Sequence, residues 1–161
     1  MKTTILKHRF LYLFILLGLT LSFNGCSSDD DDETETQTFL EKYDGTKWVT
    51  NTDEGEFIIK FYDDTNNPYD NWFQEEVGSY CHIYHNTKES WGVEFEIKKN
   101  LNNEFTIEST SGNYIDTLIF KVQGDNINMT YRLLDNGEEK TIYNLNLNKT
   151  SINLNDIVVC D

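Results

Sequence analysis

At 161 residues and a formal charge of −15, the chain has length for one hydrophobic core but not for two. Its acidity repels phosphate backbones and so argues against nucleic acid as a partner. Ten Phe, nine Tyr and three Trp against a single Pro mean a core built from rings, which favours strands over helices.

Met1 to Arg9 carries Lys2, Lys7 and Arg9 and no acid, and Phe10 to Leu21 is almost wholly apolar. These are the charged and apolar regions of an export signal, and the run falls short of the roughly 20 residues a bilayer-spanning helix needs. Phe23-Asn24-Gly25-Cys26 then resembles the lipobox of bacterial lipoproteins, a likeness that implies a lipidated Cys26. Several acyl chains at about 0.8 kcal/mol per buried methylene make a stable anchor. The sequel Ser28-Asp29-Asp30-Asp31-Asp32 resembles the signal that sends lipoproteins of the Bacteroidetes to the outer face of the outer membrane. The expected organisation is a signal peptide over 1–25, a lipidated cysteine with an acidic disordered tether over 26–38, and one domain over 39–161. Without Lys2, Lys7 and Arg9 the formal charge moves from −15 to −18, and with six acids in the tether about −12 falls on the domain. Stretched out, the tether reaches about 40 Å.

Phe39 to Tyr43 predicts one helical turn, and Thr46 to Thr50 a first strand. Glu56 to Tyr62 alternates, with Phe57, Ile59 and Phe61 on one face, and predicts a half-buried strand. Asp63 to Gly78 breaks the pattern with turn chemistry and then Tyr69, Trp72 and Phe73, and reads as a long irregular loop. Further strands are predicted over 79–85, 91–98, 104–109, 114–122, 127–134 and 141–147, with a last pair near 151–154 and 157–160. Ser111-Gly112-Asn113, Gly124-Asp125-Asn126 and Asp135-Asn136-Gly137 suit the tight hairpins of an antiparallel meander. The expected fold is all-β: a single antiparallel up-and-down β-barrel of about eight to ten strands, with one short N-terminal helical turn.

The helical lead-in, Gly45-Thr46-Lys47-Trp48 and the meander after it are similar to the small lipocalin-like lipoproteins of Bacteroidetes. Lipocalins carry Gly-x-Trp at this point and an Arg from the far end of the barrel. This chain has one residue more between Gly45 and Trp48, and Arg132 sits within a predicted strand.

With Cys26 assigned to lipid, Cys81 and Cys160 remain as a disulfide pair in an oxidising envelope compartment. Closing about 80 residues, such a bond stabilises by about 4 kcal/mol through loop entropy. In Cys81-His82-Ile83-Tyr84-His85 strand alternation turns Cys81 from His82 and His82 from His85, which argues against a metal site. The chain shows no nucleophile elbow, phosphate loop or zinc-knuckle pattern, so neither a catalytic residue nor a cofactor is expected. Tyr69, Trp72, Phe73, Tyr80 and Tyr84 are the ligand-binding candidates, as rings on a loop beside a barrel mouth. Asp116-Thr117-Leu118 resembles the Bacteroidetes O-glycosylation acceptor, with Thr117 as the modified residue. The expected function is non-catalytic: a monomeric outer-membrane lipoprotein, at the cell surface rather than the periplasmic face, held to the bilayer through acylated Cys26. Its barrel binds a small apolar or amphipathic ligand; the alternative is a filled barrel presenting aromatic loops to a protein or glycan.

Overall fold

The computed structural model describes residues 37–160. Cys26, Ser28, Asp29, Asp30, Asp31 and Asp32, on which the lipidation and export readings rest, lie outside the described residues. The chain from Gln37 opens on a short helix, α1 (Phe39–Tyr43), fixed by a capping box in which Thr38 and Glu41 exchange hydrogen bonds. Four strands follow: β1 (Lys47–Asn51), β2 (Glu56–Phe61), β3 (Tyr69–Phe73) and β4 (Ile83–Asn86). A second five-residue helix, α2 (Thr87–Trp91), leads to β5 (Phe95–Leu101), β6 (Glu104–Ser111), β7 (Tyr114–Gln123), β8 (Asn126–Asp135) and β9 (Glu138–Thr150).

All nine strands join one sheet in the order β4-β3-β2-β1-β9-β8-β7-β6-β5, and every ladder is antiparallel. The fold is therefore all-β, an up-and-down meander curled around a single interior. Pairing of β1 with β9 brings the two ends of the meander together, so the unpaired edges fall in its middle, at β4 and β5. Helix α2 connects these two edges. Asn86 and Glu89 form its capping box, and Gly92 ends it in the left-handed conformation at φ 64°, where a side chain would be strained. Thr87, fully buried, ties α2 to β3 by accepting from the Tyr69 N–H and donating to its carbonyl.

Residues of alternate phase fill the interior. Trp48, Ile59, Phe61, Tyr69, Phe105, Ile107, Leu118, Phe120, Ile127, Met129 and Leu147 pack with Phe39 and Leu40 of α1 as one cluster. The α1 end is the denser. There Phe39 meets Phe61 edge-on at 5.1 Å and stacks on Phe105 at 5.7 Å, and Phe120 meets Phe61 edge-on at 5.0 Å. Helix α1 thus plugs that end of the sheet. Trp48 is buried against Tyr43 at 5.8 Å and donates from Nε1 to Thr46 Oγ1 at 2.9 Å. Arg132 lies elsewhere, paired with Glu139 at 3.3 Å.

Several segments depart from the sequence expectation. Tyr69–Phe73, expected in an irregular loop, is strand β3, next to the edge and paired with both β2 and β4. Its polar residues hid the alternation, yet each has a partner: Asp70 accepts from Tyr62 Oη at 2.7 Å and from Asn67 Nδ2 at 3.0 Å, and Asn71 donates to Ser90 Oγ at 2.6 Å. The strand expected over 79–85 begins only at Ile83. Trp91, expected to open a strand, closes α2 instead, because Asn86 and Gly92 cap a helix between them.

The strand pair expected near the C-terminus is a strap. Its one short helical turn is Leu154–Asp156, and one parallel bridge joins His82 to Val159. It runs from Thr150 beside β1 to Cys160 beside His82, with Lys47 Nζ donating to the Ile152 carbonyl at the start and Val158 and Cys160 bonded to the His82 backbone at the end. Lys47, Glu56 and Ile58 share the outer face, so the strap crosses the outside of β1, β2 and β3. That accounts for Ile58, which is fully buried although it points away from the core. Cys81 and Cys160 are joined in a disulfide with Cα atoms 5.2 Å apart, fastening the strap to the segment before β4.

Candidate functional site

Opposite the α1 plug the curled sheet is hollow, with a cavity of about 740 Å³, within the range of small-molecule sites. The inward phase of six strands lines it: Phe57 and Ile59 from β2, Tyr69, Asn71 and Phe73 from β3, His85 from β4, Asp116 and Leu118 from β7, Met129 and Tyr131 from β8, and Tyr143 and Leu145 from β9. Ser90 and Trp91 of α2 close the side where β4 and β5 do not pair, and the β1–β2 turn, Thr52 to Gly55, forms part of the mouth. The same alternation fills one end and hollows the other. Toward α1 the inward residues are Phe61, Phe105, Phe120, Ile127 and Leu147, all fully buried, and among the described residues no second helix plugs the opposite end.

The lining is part apolar and part polar. Leu118, Met129, Leu145 and Ile59 form its floor beside the core, and polar groups stand in pairs above them. Trp91 Nε1 donates to Tyr69 Oη at 2.9 Å, and Asn71 donates to Ser90. Tyr131 Oη donates to Asp116 Oδ1, with the Tyr131 and Tyr143 rings 5.2 Å apart. His85 packs its ring 5.6 Å from that of Phe73.

Burial raises the Tyr69 phenol above its ordinary value, and burial followed by the Asp116 hydrogen bond does the same to Tyr131. Tyr143 is also raised, by burial and then by the Glu54 carboxylate across the mouth. Tyr143 is 43% exposed, because solvent in the open half of the cavity reaches its ring. All three phenols are therefore neutral donors at pH 7, suited to hydrogen bonding and not to accepting protons.

The sequence candidates divide between two faces of the sheet. Tyr69 and Phe73 line the cavity. Trp72 and Tyr84, cross-strand partners with rings 5.2 Å apart, lie on the outer face, where Trp72 is only 7% exposed. Tyr80 stands before β4 and is 86% exposed. The five rings thus do not form one surface, since alternation on β3 and β4 sends neighbours to opposite sides. His82 and His85 are likewise separated. His82 meets Glu56 at 3.1 Å on the outer face, and His85 points inward. Thr117 occupies the middle of β7 on the outer face, between Glu108 and Arg132 in register.

Asp116 and Tyr143 were not among the sequence candidates for this site. For Asp116 the signal was available: it keeps phase with Leu118 and Phe120, so a carboxylate was written into an inward position. The signal for Tyr143 was available too: it keeps phase with Leu145 and Leu147, and the register shifts only beyond it, between Tyr143 and Thr141.

The chain matches no protein-family model, and no match is found among the curated proteins or the solved structures. The reading of the cavity therefore rests on its own geometry.

Proposed function

We propose that this protein is a lipid-anchored binding protein whose cavity holds one small amphipathic ligand, with no chemistry performed on it. The observation that carries this reading is the asymmetric interior, sealed by α1 at one end and hollow over about 740 Å³ at the other. A sheet meant only to display loops has no need of a space that forfeits packing contacts. The apolar floor suits a hydrocarbon part, and the Asn71, Asp116 and Tyr131 groups suit a polar head. Burial of Tyr69 and Trp72 weighs against the alternative of an aromatic loop presented to a protein or glycan. In the same reading acylated Cys26 fixes the barrel to the outer face of the bacterial outer membrane, and the acidic residues after it keep the domain clear of the bilayer.

Nile red, a neutral apolar dye, tests the pocket. Saturable binding at one dye per chain is expected, together with its loss in a Leu145→Trp variant that keeps the β-sheet circular dichroism spectrum. Dye uptake that is unsaturable, or unchanged in the filled variant, would count against a pocket. For the anchor, Cys26→Ala is expected to release the protein from the membrane fraction, and a variant that stays acylated and membrane-bound would refute lipidation at Cys26.

A further inference from the structure

The charge lining the cavity is of one sign. Asp53 and Glu54 stand on the β1–β2 turn at the mouth and Asp116 lies deeper on β7, and among the described residues none of the three has a cationic partner within salt-bridge distance. Among the described residues neither Lys nor Arg lines the cavity, and the remaining acid of the lining, Glu56, is met by His82. The rings of Phe57, Phe73, Trp91, Tyr131 and Tyr143 stand around the same space, and an aromatic face attracts a cation. An anionic head would meet like charge here with no counterion.

A second observation comes from β6. Ser109 keeps phase with Phe105 and Ile107 and so points inward, directly opposite Asp116 in register. It is 2% exposed, and its Oγ has no hydrogen-bond partner. Buried hydroxyls are nearly always paired, so this one is an unsatisfied group behind the Asp116 carboxylate, although Ser109 is not itself among the residues that line the cavity. Tyr131 already donates to Asp116, but a carboxylate has further lone pairs. The set offers acceptors and ring faces to a group that brings N–H donors and positive charge.

We infer that the ligand class of this cavity is an amphipathic amine, its protonated nitrogen at Asp116 among the ring faces and its hydrocarbon along Leu118, Met129 and Leu145. This rests on the binding role proposed above and adds the sign of the head group. Selectivity follows from desolvation: an ammonium moving into the site exchanges water for Asp116 and ring faces, whereas a carboxylate exchanges water for repulsion.

The test compares three ligands of one chain length at pH 7, all below micellisation: decylamine, decanol and decanoate. Binding is followed by tryptophan fluorescence and native mass spectrometry of the purified protein. Decylamine is expected to bind at least about tenfold more tightly than decanol, with decanoate weakest. Asp116→Asn, which keeps an oxygen to accept from Tyr131, is expected to erase most of that preference. Glu96→Gln removes an exposed acid on the outside of β5 and is expected to leave it unchanged. Decanoate binding as well as decylamine, or a preference that survives Asp116→Asn, would overturn the amine assignment while leaving the pocket in place. Should none of the three bind, the ligand-binding role itself fails.

Discussion

The two ends of this barrel are made by the same strands and do opposite things. At the α1 end, Phe39, Phe61, Phe105 and Phe120 interlock with centroid separations of 5.0 to 6.5 Å. At the mouth, Tyr131 and Tyr143 stand beside open space with acids around them. Strand alternation chooses which residues face inward, but it does not choose whether the inside is full. That is decided by what enters the ends, and among the described residues one helix enters one of them.

The sharpest way to break the contrast is to unplug the sealed end. Phe39→Ala is expected to lower stability by about 3–5 kcal/mol in urea unfolding, and a loss below about 1 kcal/mol would mean that α1 merely rests on the barrel. Next in size is the strap. Reduction of Cys81–Cys160, which closes 79 residues of sequence separation, is expected to cost up to about 4.5 kcal/mol by loop entropy; an unchanged urea midpoint in reductant would rule out a stabilising role. At the unpaired side of the sheet, Thr87→Val keeps the shape and deletes the hydroxyl that serves the Tyr69 backbone. A loss of about 1–3 kcal/mol is anticipated, and its absence would show that α2 is not needed to hold β3.

Alkaline titration separates buried phenols from open ones. The Tyr69 phenol is raised by burial, so the folded state holds its proton more tightly than the unfolded state. The stability it contributes is complete below the unfolded value near pH 10 and is lost as pH rises above it. Tyr69 alone is expected to contribute up to about 1.4 kcal/mol per pH unit to the slope there. Tyr69→Phe should lessen the slope by that amount while Tyr131 and Tyr143 keep the rest. A melting temperature that stays level to pH 11 in the parent protein would contradict the burial. The smallest effect belongs to the mouth: Tyr143→Ala is expected to change stability by less than about 1 kcal/mol. A larger loss would mean that the hollow end is held together by its own side chains.

Much of this fold was legible because one-sided alternation survives in the long strands. Phe57-Ile58-Ile59-Lys60-Phe61 and Ile127 to Leu133 announce both their strands and their inward faces, and Asn136-Gly137 announces the turn that joins β8 to β9. Asn136 and Gly137 both take positive φ, 50° and 85°, as that hairpin requires. Strand β3 was obscured because Asp70 and Asn71 make it look like a loop, and only tertiary partners reveal that both are satisfied. Helix α2 had a local signature that strand counting overrode: Asn86-Thr87-Lys88-Glu89 is a capping box, and Gly92 is its stop. The strap could not be read locally. Its apolar residues serve a face of the sheet that period-two reasoning assigns to solvent.

The site was less legible than the fold. Five rings were picked out for being aromatic and close in sequence, and strand geometry scattered them over two faces. What assembles the cavity is phase: Asp116, Tyr131 and Leu145 are remote in sequence and neighbours only because each holds the inward place on its strand.

Pairing of β1 with β9 has a kinetic consequence. Lys47 meets Thr150 about 100 positions along the chain, and until that ladder forms β1–β4 and β5–β9 are separate meanders with their apolar faces open to water. Contacts of such long range cost loop entropy before they return any free energy, and proteins that depend on them fold slowly. The hollow and the plug both draw residues from the two meanders, so each is complete only once the last long strand docks on the first.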